Sequence, residues 1–162
     1  MLKSLRRTLT THGYGVHSPF AYRFIREVIG ETLPYVEYGK LPGDADRLQY
    51  RVAAFLQPSS VSEIGGASAK AARMACPKAG RPPRWSLLTS LPLTVATGAA
   101  DTAALVEAAT AGSLICTGLS RRQLKALLPQ LAGSVTFSGP ADEGYTLIAI
   151  PHSPSQHYSV KM

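Results

Sequence analysis

Cysteine is scarce, acidic residues are few and long apolar runs are missing, and each scarcity narrows what this chain can do. The two cysteines, Cys76 and Cys116, stand far apart with no Cys-x-x-Cys spacing, at a predicted helix end and in a predicted buried strand. Packing is therefore the expected role for both, and no zinc or redox site is expected. No apolar stretch approaches the roughly 20 residues that cross a bilayer. The opening MLKSLRRTLTTHG lacks the apolar centre and small-residue cleavage site of a secretory signal, so a cytoplasmic protein without membrane attachment is expected. Ten acidic residues face 17 Lys and Arg, for a net charge of +7. The excess is concentrated at the start, where Lys3, Arg6, Arg7, Arg23 and Arg26 precede any acid. A nucleic-acid or acidic partner is compatible with that surface. A solvated helical face is the simpler account, because no aromatic-and-basic ribbon accompanies the charges.

What is present is enough for one core: 162 residues, 45% hydrophobic and 17% charged, predict a single globular unit. Residues 1–45 read as an N-terminal helical extension and connecting loop, and residues 46–162 as one compact domain. Leu2, Leu5 and Leu9 mark a short amphipathic helix over 1–11. Ser18 and Pro19 open a second helix whose stripe is Phe20, Phe24, Ile25 and Val28, ending at Gly30. Leu48, Val52, Phe55 and Leu56 mark a third, stopped by Pro58.

Beyond it, strands are expected over 61–64, 85–89, 93–97 and 113–117, with helices over 67–76 and from Asp101 through Ala111. Only a few residues separate 85–89 from 93–97, too few for the crossover a parallel neighbour requires, so a helix is missing there. Ser120 and Gln123 form a capping box for a helix carrying Leu124, Leu127, Leu128 and Leu131, which Gly133 ends. The last thirty residues predict strands over 134–138, 145–150 and 157–162, an antiparallel end to the sheet.

The segment with the most chemical content is 60–75, SVSEIGGASAKAARMA: a short apolar strand, an acid, two glycines and a small-residue helix. Glycine at the carboxyl end of a parallel strand exposes backbone N–H groups, and the next helix begins with its positive end toward whatever binds there. A tight strand-to-helix turn without a ligand fits the same residues. GGASA lacks the three-glycine spacing that a dinucleotide pyrophosphate needs, and no acid follows about 20 residues on, so a nicotinamide oxidoreductase is set aside.

Together the N-terminal HGYGVHSPFAYRF, the strand-turn SVSEIGG and the tail QHYSVKM resemble a group of bacterial class I S-adenosylmethionine-dependent methyltransferases. The resemblance covers both ends and the first cofactor strand, and HSPF is its distinctive motif. It implies a Rossmann-like three-layer α/β sandwich of methyltransferase type, shortened here, with antiparallel C-terminal strands. It also implies S-adenosylmethionine as cofactor, with Glu63, Gly65 and Gly66 as the contacting residues: the acid organises the turn and bonds toward the methionine amino group, and the glycines leave room. Three departures follow. Ala67 and Ala69 add side chains to the turn, and Ala69 stands where relatives tend to carry glycine, which predicts obstruction of the cofactor. WSLLTS ends in Thr89 and Ser90 rather than an acid for the ribose, losing charge-assisted hydrogen bonds of about 1.5–3 kcal/mol each. No acid-containing strand end follows in the middle of the chain, where related enzymes place metal or substrate ligands.

The resulting expectation is a methyltransferase-like protein with a degenerate cofactor site, an unknown methyl acceptor and no nameable catalytic residue. Methyl transfer can work by holding donor and nucleophile in line, so the lack of an obvious base does not exclude it. The alternative is a non-catalytic module that keeps the fold and binds through its basic surface, and a homo-oligomer completing a shortened sheet stays open. His12 and His17 could line a cleft, although local backbone bonding explains them better, and the spacing of His152 and His157 does not suit a metal pair. Lys70 at a helix start opposes the macrodipole, which solvent exposure explains as well as an anionic ligand does.

Overall fold

The computed structural model describes residues 44–76 and 91–151, together with Phe24 and Val28. The expected helix over 1–11, the strands over 85–89 and 157–162, and all four histidines lie outside the described residues, as do Thr89 and Ser90.

Helix α1, Asp44–Leu56, has Asp46 near its positive end and buries Leu48, Val52, Phe55 and Leu56. It leaves the helical path at Gln57, whose φ of 49° is left-handed, directly before Pro58. Strand β1, Val61–Ile64, follows, then helix α2, Lys70–Ala75. The expected helix over 67–76 is shorter at its front because Gly65 and Gly66 are both left-handed and residues 67–69 complete the turn. Strand β2, Leu93–Thr97, leads to helix α3, Thr102–Ala111, and strand β3, Ser113–Leu119, to helix α4, Arg121–Leu127. A 3-10 turn, Leu128–Leu131, continues α4 where Pro129 cannot donate to the helical ladder. Strands β4, Ser134–Pro140, and β5, Tyr145–Pro151, form the closing hairpin.

The sheet has five strands in the order β1-β2-β3-β5-β4. β1, β2 and β3 are parallel, and β5 runs antiparallel between β3 and β4. The antiparallel end expected from the C-terminal sequence is therefore present in β4 and β5, within a mixed α/β fold.

Alternation along the strands divides the core between the two faces of the sheet. Leu93, Val95, Ile115, Ile148, Phe137 and Val135 join α1 and α2 on one face. Ala96, Leu114, Cys116, Leu147 and Ala149 join α3, α4 and the 3-10 turn on the other. The registers Val95↔Ile115, Ile115↔Ile148 and Phe137↔Ile148 keep each set on its own side. Burial on both faces explains why these strands read as near-continuous apolar runs. Phe24 joins the first core through Phe55, edge-on at 5.4 Å, and Phe137, tilted at 4.5 Å, and Val28 is buried in the same core.

Candidate functional site

The three parallel strands end at one rim of the sheet, the edge at which open α/β sheets bind ligands. At the end of β1, Gly65 has φ +66° and Gly66 φ +77°, a backbone that residues with a Cβ adopt at a cost of roughly 1–2 kcal/mol each. The two glycines do different things. A Cβ at Gly65 would stand 2.9 Å from both the Ala100 backbone nitrogen and Thr97 Oγ1, so this glycine serves the close approach of the β2 turn. A Cβ at Gly66 would meet nothing within 4 Å. Gly66 is thus the glycine that borders open space.

Glu63 lies on the same strand face as Val61 and turns its carboxylate toward the start of α2. Its Oε1 accepts from the Ala69 backbone N–H at 3.0 Å and from Arg73 Nη1 at 2.5 Å. The Ala69 hydrogen bond first, and then the Arg73 guanidinium, hold the Glu63 carboxyl below its ordinary value of 4.5. Arg73 went unread in the sequence: ten residues from Glu63, its one signal was its place on the same helical face as Ala69, one turn on.

The start of α2 has a second clamp. Gln49 of α1, itself buried, donates from Nε2 to the Ser68 carbonyl at 3.1 Å and accepts at Oε1 from the Ala72 N–H at 2.9 Å. With the Ala67 N–H on the Ile64 carbonyl at 3.3 Å, three amides of the turn and helix start are held by protein groups. The obstruction expected from Ala69 takes another form. Its side chain is fully buried in the core with Ala71 and Ala72, so the methyl packs between helix and sheet, while its N–H is taken by Glu63.

The neighbouring strand ends are tied to this turn. Thr97 Oγ1 donates to the Gly65 carbonyl and accepts from the Ala99 N–H at 3.2 Å. Gly98 sits where any Cβ would collide with the Gly118 carbonyl of β3. The expected capping box is complete: Gln123 N–H donates to Ser120 Oγ at 3.1 Å, and Ser120 N–H to Gln123 Oε1 at 2.8 Å. Gln123 also donates from Nε2 to the Gly98 carbonyl at 2.7 Å, which the sequence reading missed. Asp101 occupies the N-cap of α3 as expected, yet its side chain makes no capping bond. Its exposed carboxylate belongs to the helix cap beyond β2, and the strand ends of β2 and β3 themselves carry no acid.

The cysteines stand apart from these groups. Burial pushes the Cys116 thiol up to about 12. Desolvation also raises Cys76, against the pull of Arg73, and its Sγ donates to the Ala72 carbonyl at 3.3 Å.

The rim thus offers two left-handed glycines, one beside open space, a carboxylate anchored by a helix amide, and turns locked to one another. A carboxylate already at a helix start disfavours a phosphate there, and with Arg73 beside it the site carries both signs of charge. No family model, curated protein or solved structure matches the chain.

Proposed function

We propose that this chain is a methyltransferase-like protein of shortened Rossmann-like type that receives S-adenosylmethionine at the turn of Glu63, Gly65 and Gly66. The observation that carries the reading is that one strand end holds both an anchored carboxylate, Glu63, and a left-handed glycine beside open space, Gly66. Oε1 of Glu63 organises the turn, and the resemblance implies that the carboxylate also bonds toward the ammonium group of the donor. The antiparallel hairpin closing the sheet agrees with the same family. Methyl transfer then requires only that an acceptor be held in line with the sulfonium at this rim.

A second reading, a non-catalytic binding module, is favoured by a different observation. Gly65 is packed against Thr97 and Ala100, and the amides of 67, 69 and 72 are bonded within the protein. A turn so fully satisfied can persist without a ligand.

Calorimetric titration of the folded protein with S-adenosylmethionine and S-adenosylhomocysteine separates the two. Micromolar binding is expected under the first reading. No heat at millimolar ligand would remove it and leave the module.

A further inference from the structure

Arg73 is the one cation paired with Glu63 among the described residues, and its bonding is incomplete. Nη1 is spent on Glu63 Oε1, Nη2 stands 3.5 Å from the Val61 carbonyl, the outer limit of a hydrogen bond, and Nε has no partner among the described residues. Both members of the pair are open to solvent, the Arg73 side chain at 53% and Glu63 at 38%. Glu63 is likewise half used: Oε1 takes both bonds, and Oε2 has none among the described residues.

An ion pair with one free acceptor and free donors, side by side, has the charge pattern that a zwitterion needs. An α-ammonium can bond to Glu63 Oε2 while the adjacent α-carboxylate meets the guanidinium, so that opposite charges alternate. An ammonium alone meets a carboxylate whose field Arg73 has largely cancelled. A free carboxylate or phosphate alone meets the Glu63 charge.

We propose that Arg73 is a specificity residue of this site, reading the α-carboxylate of the donor's amino-acid end beside the ammonium that Glu63 takes; this rests on the S-adenosylmethionine reading above. The pair then selects an amino-acid-bearing adenosyl ligand over one that has lost its carboxylate. The guanidinium suits this role because it can keep Glu63 on one edge and accept a carboxylate on another.

The test is a four-way titration of the full chain. Wild type and Arg73→Gln are each titrated with S-adenosylhomocysteine and with its decarboxylated analogue. Wild type is expected to prefer the carboxylate-bearing ligand by roughly tenfold, the effect of one charge-assisted hydrogen bond at a half-exposed site. In Arg73→Gln that preference is expected to vanish, and in Arg73→Lys to return in part. Equal wild-type affinities, a preference that survives in Arg73→Gln, or tighter binding of both ligands by Arg73→Gln would each overturn the proposal. The last result would make Arg73 a competitor for Glu63. Failure of wild type to bind either ligand would instead remove the underlying reading, so the two failures are distinct. Should Arg73→Gln fail to fold, Arg73→Lys carries the test, since a full wild-type preference in that variant would overturn the guanidinium's role and a reduced one would support it.

Discussion

At Gly65 and Gly66 the same residue type has two different physical reasons, and substitution separates them. Both positions have positive φ, so alanine at either costs roughly 1–2 kcal/mol of backbone strain. Gly65→Ala adds a methyl group 2.9 Å from Ala100 and Thr97. It should therefore destabilise clearly more than Gly66→Ala in urea unfolding, and equal losses would contradict the packing described. Gly66→Ala places its methyl in open space. It should keep the fold and weaken donor binding, which titration of that variant would show.

Glu63 makes the turn sensitive to acid in a defined direction. Its folded value lies below 4.5, chiefly through the Ala69 N–H and then Arg73. The stabilisation it contributes is present above that unfolded value and is lost as pH falls through the depressed folded one. Melting temperatures of wild type and Glu63→Gln should accordingly differ at neutral pH and converge in acid. A difference that widened in acid would reverse the sign of this linkage.

On the scale of elements, single side chains hold helix starts in place. Gln49 joins α1 to α2 through Ser68 and Ala72. Gln49→Leu keeps the volume but leaves a carbonyl and an N–H without this partner, a loss of about 1–3 kcal/mol for each group that stays dry. Urea unfolding measures the loss, and a neutral result would mean that water or a backbone shift replaces both bonds. Gln123 does comparable work for α4 and the β2 turn. Ser120→Ala removes half of the capping box and should cost about 1 kcal/mol. Gln123→Ala also frees the Gly98 carbonyl, so it should cost more than Ser120→Ala in the same assay.

The capping box was legible in advance because both partners sit three residues apart. β1 and β2 fall on the expected 61–64 and 93–97, since alternation and flanking turn residues are local signals. The front of α2 was misjudged. Alanines at 67 and 69 have high helix propensity, and the left-handed glycines before them override it.

For the molecule as a whole, two cores on opposite faces of one sheet make the native state a single cooperative structure. Phe24 lies against Phe55 of α1 and Phe137 of β4 and so joins helix and sheet edge in one core. Phe24→Ala should cost about 3–5 kcal/mol in chemical unfolding. The cysteines report on the same cooperativity. Cys116 is fully buried with its thiol raised to about 12, whereas Cys76 is half-buried. A thiol reagent should therefore modify Cys76 first and reach Cys116 only at the rate of unfolding. Equal native-state rates would show a second core that opens independently.

By itself the sequence determined the class of elements, several of their limits, the acid and paired glycines of the turn, and the antiparallel close of the sheet. These rest on periodicities of two and 3.6 residues and on signals only a few residues long. Tertiary structure alone decided that Arg73 holds Glu63, that Gln49 caps α2, that Thr97 locks Gly65, and that Ala69 belongs to the core. Those partners stand 10 to 32 residues apart, and no periodicity links residues that meet only because β1 and β2 lie side by side with α1 packed on α2. Folding brings them together, and at that rim it separates a glycine that serves packing from one that borders open space.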